Sequence, residues 1–137
     1  MIRPRIERGE IVLCDRYADS TLAYQGYGRG LDLAFLRRLQ AEVLSGLQPR
    51  LTLLLQLPVE TGLARIPSTV QDRLDRETVA FHQRVSAGYR QMALEEPDRW
   101  REVDASALPD EVAASIFEHV NRALQQAGIR PAQRRTA

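Results

Sequence analysis

The sequence predicts an α/β layered fold with parallel strands. Short apolar runs are bounded by polar or turn residues, apolar residues recur at helical spacing between them, and each return from strand to strand is therefore made by a crossover helix. In such folds ligands gather at the C-terminal ends of the strands.

The runs at residues 11–14 and 51–57 and a weaker one at 101–103 read as buried strands. From 33 to 47, Leu33, Leu36, Leu39, Val43 and Leu47 recur every three or four positions with Arg37, Arg38, Gln40 and Glu42 between them, which predicts an amphipathic helix ending near Gly46. A second helical period runs through Phe81, Val85, Tyr89 and Met92. A third runs through Val112, Ile116, Val120 and Leu124, entered by Pro109 with Asp110 and Glu111 in its first turn. Gly26, Gly28 and Gly30 alternate without a following Gly-Lys-Ser or Gly-Lys-Thr and read as a loop.

With 137 residues, one compact domain with a single core is expected, spanning 1–128, followed by a fraying basic tail at 129–137 that holds Pro131 and three arginines. Nineteen Lys plus Arg against 18 Asp plus Glu leave a net charge of +1, with no general attraction for nucleic acid or membrane. Any anion site must be local. The single cysteine, Cys14, reads as a small buried core residue and suits a reducing compartment. Neither a signal-type apolar segment nor a membrane-spanning run occurs, so a soluble cytoplasmic protein is expected.

Asp15 and Arg16 stand where the first predicted strand runs out, at the edge where such sheets present functional groups. A guanidinium fork grips phosphate oxygens bidentately, and a neighbouring carboxylate steadies it or attracts magnesium. The pair alone reads equally as a surface ion pair or a helix-entry cap. On an α-helix, Thr21, Tyr24 and Gln25 share one face and can converge on one ligand; Tyr24 also reads as a core aromatic.

The segment DRYADSTLAYQGYGRGLD (residues 15–32) closely resembles the signature that follows the third sheet strand of bacterial thymidylate kinases. The similarity continues through PRLTLLL (49–55), like the family's fourth strand, and VETGLAR (59–65), like the helix entering its lid. DRLD (72–75) resembles the lid exit, FHQRV (81–85) the next helix and VDAS (103–106) the strand end beside adenine. The resemblance implies a P-loop NTPase-like three-layer fold and transfer of the γ-phosphoryl group of ATP to thymidine monophosphate with Mg²⁺, in a homodimer. It implies that Arg16 grips the acceptor phosphate and that Asp15 helps organise magnesium and water. Thr21 and Gln25 would bond the thymine edge, Tyr24 would pack under the deoxyribose where a 2′-hydroxyl would clash, and Asp104, Ala105 and Ser106 would form the loop on the adenine side. Arg65, Arg73 and Arg76 are the lid arginines available for the transferring phosphoryl group, Arg73 being the catalytic choice. Surface pairing is the other reading of Arg73, and Arg76 beside Glu77 also reads as a solvated helix entrance.

The chain departs from the family pattern in two places. It has no Gly-x-x-x-x-Gly-Lys-Ser/Thr loop, and residues 1–10 resemble the end of the helix preceding the family's third strand. A fragment is therefore expected, without the N-terminal strands and phosphate loop, and inactive alone. In the family the first strand lies between those corresponding to 11–14 and 51–57, so its loss leaves backbone groups unpaired at about 1–3 kcal/mol each if buried. The lid stretch IPSTVQ (66–71) is uncharged where relatives place arginines. Alternatives are another deoxynucleotide or nucleoside-monophosphate kinase, or a noncatalytic nucleotide-binding or dimerisation module.

Overall fold

The computed structural model describes residues 1–65 and 78–129. Helix α1 (Ile2–Glu7) and a single turn, α2 (Asp19–Thr21), lead into a π-helical segment, Leu22–Gly28. Then follow α3 (Leu33–Leu44), β1 (Thr52–Gln56), α4 (Val59–Ala64), α5 (Val79–Glu95), β2 (Trp100–Asp104) and α6 (Pro109–Gln126). Two compact units divide these elements. One holds Met1–Gln48 and the described part of Gln71–Gln91, the other the described parts of Pro49–Val70 and Met92–Ala137. Where the sequence predicts a single core, each unit has its own buried cluster.

In the second unit β1 and β2 pair in parallel from Thr52 opposite Trp100 to Gln56 opposite Asp104, the arrangement the alternation of strands and helices predicts. The ladder extends past both ends: the Thr52 amide donates to the Arg99 carbonyl at 2.8 Å, and the Ala105 amide to that of Gln56 at 2.8 Å. Arg99 holds Glu96 with two parallel bonds of 2.9 Å and reaches Thr52 Oγ1 at 3.0 Å, fixing the start of the sheet. Trp100 and Val103 of β2 are buried, as are Met92 and Ala93. Helix α6 packs against β2. Pro109 opens it, Asp110 and Glu111 lie in its first turn, and Glu111 Oε2 accepts from the Leu108 amide at 3.0 Å, satisfying a backbone donor at the helix entrance.

In the first unit Asp32 caps α3: its Oδ1 accepts from the amides of Ala34 at 2.8 Å and Phe35 at 3.2 Å. The helix stops at Leu44 because Ser45 (φ 48°) and Gly46 (φ 76°) turn left-handed, slightly before the predicted end. Leu36 of α3, Leu22 and Ala23 of the π-helix, and Phe81 and Val85 of α5 form the buried cluster. Thr78 caps α5, its Oγ1 accepting from the Phe81 amide at 3.2 Å.

Three sequence expectations are corrected here. Residues 11–14 form no strand. Extended backbone becomes a strand only when a neighbour takes its N–H and C=O groups, and the sheet of the described residues consists of β1 and β2 alone. In consequence Ile11 and Leu13 are exposed, and so is Cys14, expected in the core. Gly26 and Gly28 belong to the π-helix, and only Gly30 (φ 77°) lies in the loop after it. The two helical glycines are there for close approach. A β-carbon on Gly28 would stand 2.6 Å from Phe81 Cε2 and 2.9 Å from Val85 Cγ2, and one on Gly26 2.3 Å from Leu33 Cδ2. Gly88 of α5 reciprocates, its missing β-carbon leaving room for the Tyr27 ring.

The predicted lid residues Arg73 and Arg76, the stretch 66–71 and most of the basic tail lie outside the described residues.

Candidate functional site

The predicted acceptor segment lies wholly in the first unit. After the irregular stretch 11–14 the chain bends at Asp15 and Arg16, then enters α2 with the Ser20 amide donating to the Tyr17 carbonyl and that of Thr21 to Ala18, each at 2.9 Å. Two side chains hold the bend. The Tyr17 hydroxyl donates to the Leu47 carbonyl at 3.2 Å, and Gln40 Nε2 of α3 donates to the Ala18 carbonyl at 2.5 Å.

Arg16 is left-handed, with φ 59°. For a residue with a β-carbon this costs roughly 1–2 kcal/mol, so surrounding contacts must hold it. Its guanidinium carbon stands 4.4 Å from the centre of the Tyr24 ring, a cation–π contact. Tyr24 in turn meets Phe81 edge to face, with centroids 6.0 Å apart. The ring of Tyr24 thus has a cation on it and a buried aromatic beside it. Half-buried Tyr89 of α5 donates its hydroxyl to Ser20 Oγ at 2.9 Å. Burial pushes the Tyr89 phenol above its usual range, opposed by its bond to Ser20 and by the nearby Arg16 charge.

The structure therefore brings Arg16 and Tyr24 together, with Phe81 beside the Tyr24 ring and Ser20 bonded to Tyr89. Asp15 is exposed. Thr21, also exposed, ends α2, while Tyr24 and Gln25 lie in the wider π turn, so the α-helical spacing that would align all three does not hold. Gln25 Oε1 accepts from Arg29 Nη1 at 2.9 Å, so a nucleotide base using that oxygen shares it with Arg29. Arg84 of α5 donates to the Gly28 carbonyl at 3.0 Å and closes the C-terminal end of the π segment.

The signal for the added residues was in the sequence. Phe81 and Tyr89 are eight positions apart on one face of the predicted helix and read there as core. A tyrosine on such a face carries a hydroxyl that needs a partner, and that need points to Ser20.

The other described site residues, Arg65 and Asp104 to Ser106, belong to the second unit. Arg65 is exposed just after α4. At the C-terminal end of β2, Asp104 Oδ1 accepts from the Ser106 amide at 2.8 Å and from Ser106 Oγ at 2.5 Å, a tight turn with Ala105 between. Those two donors hold the Asp104 carboxyl below the ordinary carboxylate range. The turn sits at the strand end where α/β sheets present functional groups. Among the described residues no cluster of three His, Cys, Asp or Glu could hold a metal ion, and no helix is long and apolar enough to cross a membrane.

Comparison with known proteins bears on the same residues. The family model described as thymidylate kinase matches residues 1–116. The thymidylate kinase of Thermomicrobium roseum is 51% identical over 127 residues, covering 91% of this chain and 60% of that protein. That of Desulfovibrio desulfuricans is 46% identical over 136 residues, 93% of this chain and 63% of its own length. A Synechococcus thymidylate kinase is 49% identical over 120 residues, 88% of this chain and 57% of its own. The chain thus spans about three-fifths of the length of these relatives. The parallel β1–β2 pair with helices between agrees with the P-loop NTPase-like α/β fold that the match implies. This chain belongs to the thymidylate kinase family.

Proposed function

We propose that this chain carries the thymidine monophosphate site of a cytoplasmic, homodimeric kinase that transfers the γ-phosphoryl group of ATP to thymidine monophosphate, and that it does not turn over alone. The observation that carries the proposal is Arg16. A left-handed arginine lying on Tyr24 is a costly arrangement. It leaves the planar fork of donors available to a phosphate while the Tyr24 ring offers a face to the sugar. Phosphoryl transfer asks the protein mainly for such positioning and charge stabilisation.

Within that proposal Arg16 grips the acceptor phosphate, Tyr24 excludes a 2′-hydroxyl, and Thr21 and Gln25 meet the thymine edge. Asp15 fits magnesium as a carboxylate that bonds the ion's waters, because magnesium keeps several waters and uses few protein ligands. Asp104, Ala105 and Ser106 form the adenine-side loop, and Arg65, Arg73 and Arg76 are the arginines available to the lid. The sequence contains no lysine and no Gly-x-x-x-x-Gly-Lys-Ser/Thr motif, so it has no such cradle for the donor triphosphate. That absence is what favours a second reading, a noncatalytic nucleotide-binding module.

Incubating the purified chain with ATP, magnesium and thymidine monophosphate, beside Arg16→Ala, separates the possibilities. Expected is Arg16-dependent binding of thymidine monophosphate without diphosphate product. Arg16-dependent turnover would remove both the claim of inactivity and the noncatalytic reading. Loss of discrimination against uridine monophosphate in Tyr24→Ala supports the sugar role, and unchanged discrimination removes it.

A further inference from the structure

We infer that Tyr17 and Gln40 are positioning residues for Arg16: by fastening the chain just after it to α3 and the turn behind that helix, they hold Arg16 left-handed and its guanidinium on Tyr24 before any nucleotide arrives. The inference rests on the proposed acceptor site for its functional meaning, while the bracing of the backbone is a claim about the chain alone.

A left-handed residue with a β-carbon returns to negative φ unless its flanks are fixed, because the return relieves strain and needs only a swing of the chain on one side. Across the bend itself the Cys14 thiol donates to the Arg16 carbonyl at 3.6 Å, but a thiol is a weak donor. The two residues after Arg16 are held more firmly. The Tyr17 hydroxyl donates to the Leu47 carbonyl at 3.2 Å, and Gln40 Nε2 donates to the Ala18 carbonyl at 2.5 Å. Tyr17, Ala18, Gln40 and Leu47 are all half-buried, which shields both bonds from competing water.

The Ala18 carbonyl also accepts the Thr21 amide at 2.9 Å, so one oxygen joins α2 to α3. Upstream of the bend, Arg3 of α1 donates through Nη2 to the Ser45 carbonyl at 3.2 Å and to that of Leu44 at 3.4 Å, using carbonyls that the end of α3 leaves open. The chain from Arg3 to Ala18 is thus pinned at both ends on α3 and its C-terminal turn, and the bend at Arg16 lies inside the pinned stretch. Without the Tyr17 and Gln40 bonds the downstream end would turn freely, Arg16 would relax, and its guanidinium would leave the Tyr24 ring. Neither residue would touch the nucleotide.

Two measurements test this. In NMR of the chain without ligand, the intraresidue amide-to-α-proton NOE and the backbone couplings of Arg16 should report positive φ. In Tyr17→Phe and in Gln40→Met, which keep bulk and remove the donor, they should report averaging with negative φ. A fully left-handed Arg16 in both variants overturns the bracing whether or not any nucleotide binds. In calorimetric titrations each variant should weaken thymidine monophosphate roughly 2- to 10-fold, the effect of one hydrogen bond, and leave thymidine unaffected. Neither should have a further effect in an Arg16→Ala background. Equal weakening of both ligands, or the same loss in both backgrounds, would mean that these residues only support the fold. Gln40→Glu, which sets an acceptor against the Ala18 carbonyl, should exceed Gln40→Met; equal effects would remove the Gln40 bond from the account. The two positions lie on different elements, so either decides if a variant at the other unfolds. If Arg16→Ala itself leaves thymidine monophosphate affinity unchanged, the acceptor-site reading fails while the ligand-free NMR result still decides the bracing.

Discussion

The two units make their backbones in different ways. In the second, Thr52–Gln56 and Trp100–Asp104 pair in register, Pro109 and Glu111 open α6 as helix-capping rules require, and buried Trp100 and Val103 lie on β2 itself. In the first, the apolar stretch 11–14 forms no strand, an arginine is left-handed, a π-helix replaces an α-helix, and glycines let aromatic rings touch backbone. Regular pairing needs little from any one residue. The irregular unit depends on single residues, and its irregularities surround the residues proposed to hold the nucleotide.

The largest effect should come from emptying the buried clusters. Phe81→Ala removes the ring that backs Tyr24 and should cost about 3–5 kcal/mol, and Met92→Ala in the second unit about 2–5 kcal/mol. Urea unfolding followed by separate probes checks both. If the units unfold separately, each substitution lowers one transition; coincident loss for both would make them one cooperative body.

Next comes Gly28→Ala, which puts a β-carbon 2.6 Å from Phe81 and should cost about 1–3 kcal/mol through overpacking. A neutral result would mean that the π segment yields freely and would weaken the contrast between the units. Asp32→Ala removes the cap of α3 and should cost about 1 kcal/mol, visible as reduced helicity and an earlier urea midpoint.

The smallest effect concerns acid. The Asp104 carboxyl lies below its ordinary range in the folded chain, so its stabilising contribution is present at neutral pH and is lost as pH falls through its folded value. Asp104→Asn should be slightly less stable than the parent near neutrality and converge with it in acid, measured by urea midpoints from pH 7 to pH 3. A constant gap across that range would assign the effect to the turn geometry rather than to the charge.

Much of the second unit was legible because strand and helix periods, Pro109 and the strand-end Asp104 are local signals, and local chemistry decides them. In the first unit α3 and α5 were legible for the same reason. The strand at 11–14 was not, because a strand is a relation between segments and apolar composition says nothing of the partner. The glycines of 26 and 28 were misread because their use is contact with Leu33, Phe81 and Val85, distant from turn chemistry. Of the proposed site, Arg16 and Tyr24 were legible as a motif, but their stacking, the π turn and Tyr89 arise from packing across elements.

The most direct test of the central claim is a pair of titrations, thymidine monophosphate and thymidine, into the chain and into Arg16→Ala. A charge-assisted grip on phosphate is worth about 1.5–3 kcal/mol, so the parent should prefer the monophosphate by roughly 10- to 100-fold. Arg16→Ala should erase that preference. A preference that survives the substitution, or a parent that binds both ligands alike, contradicts the account.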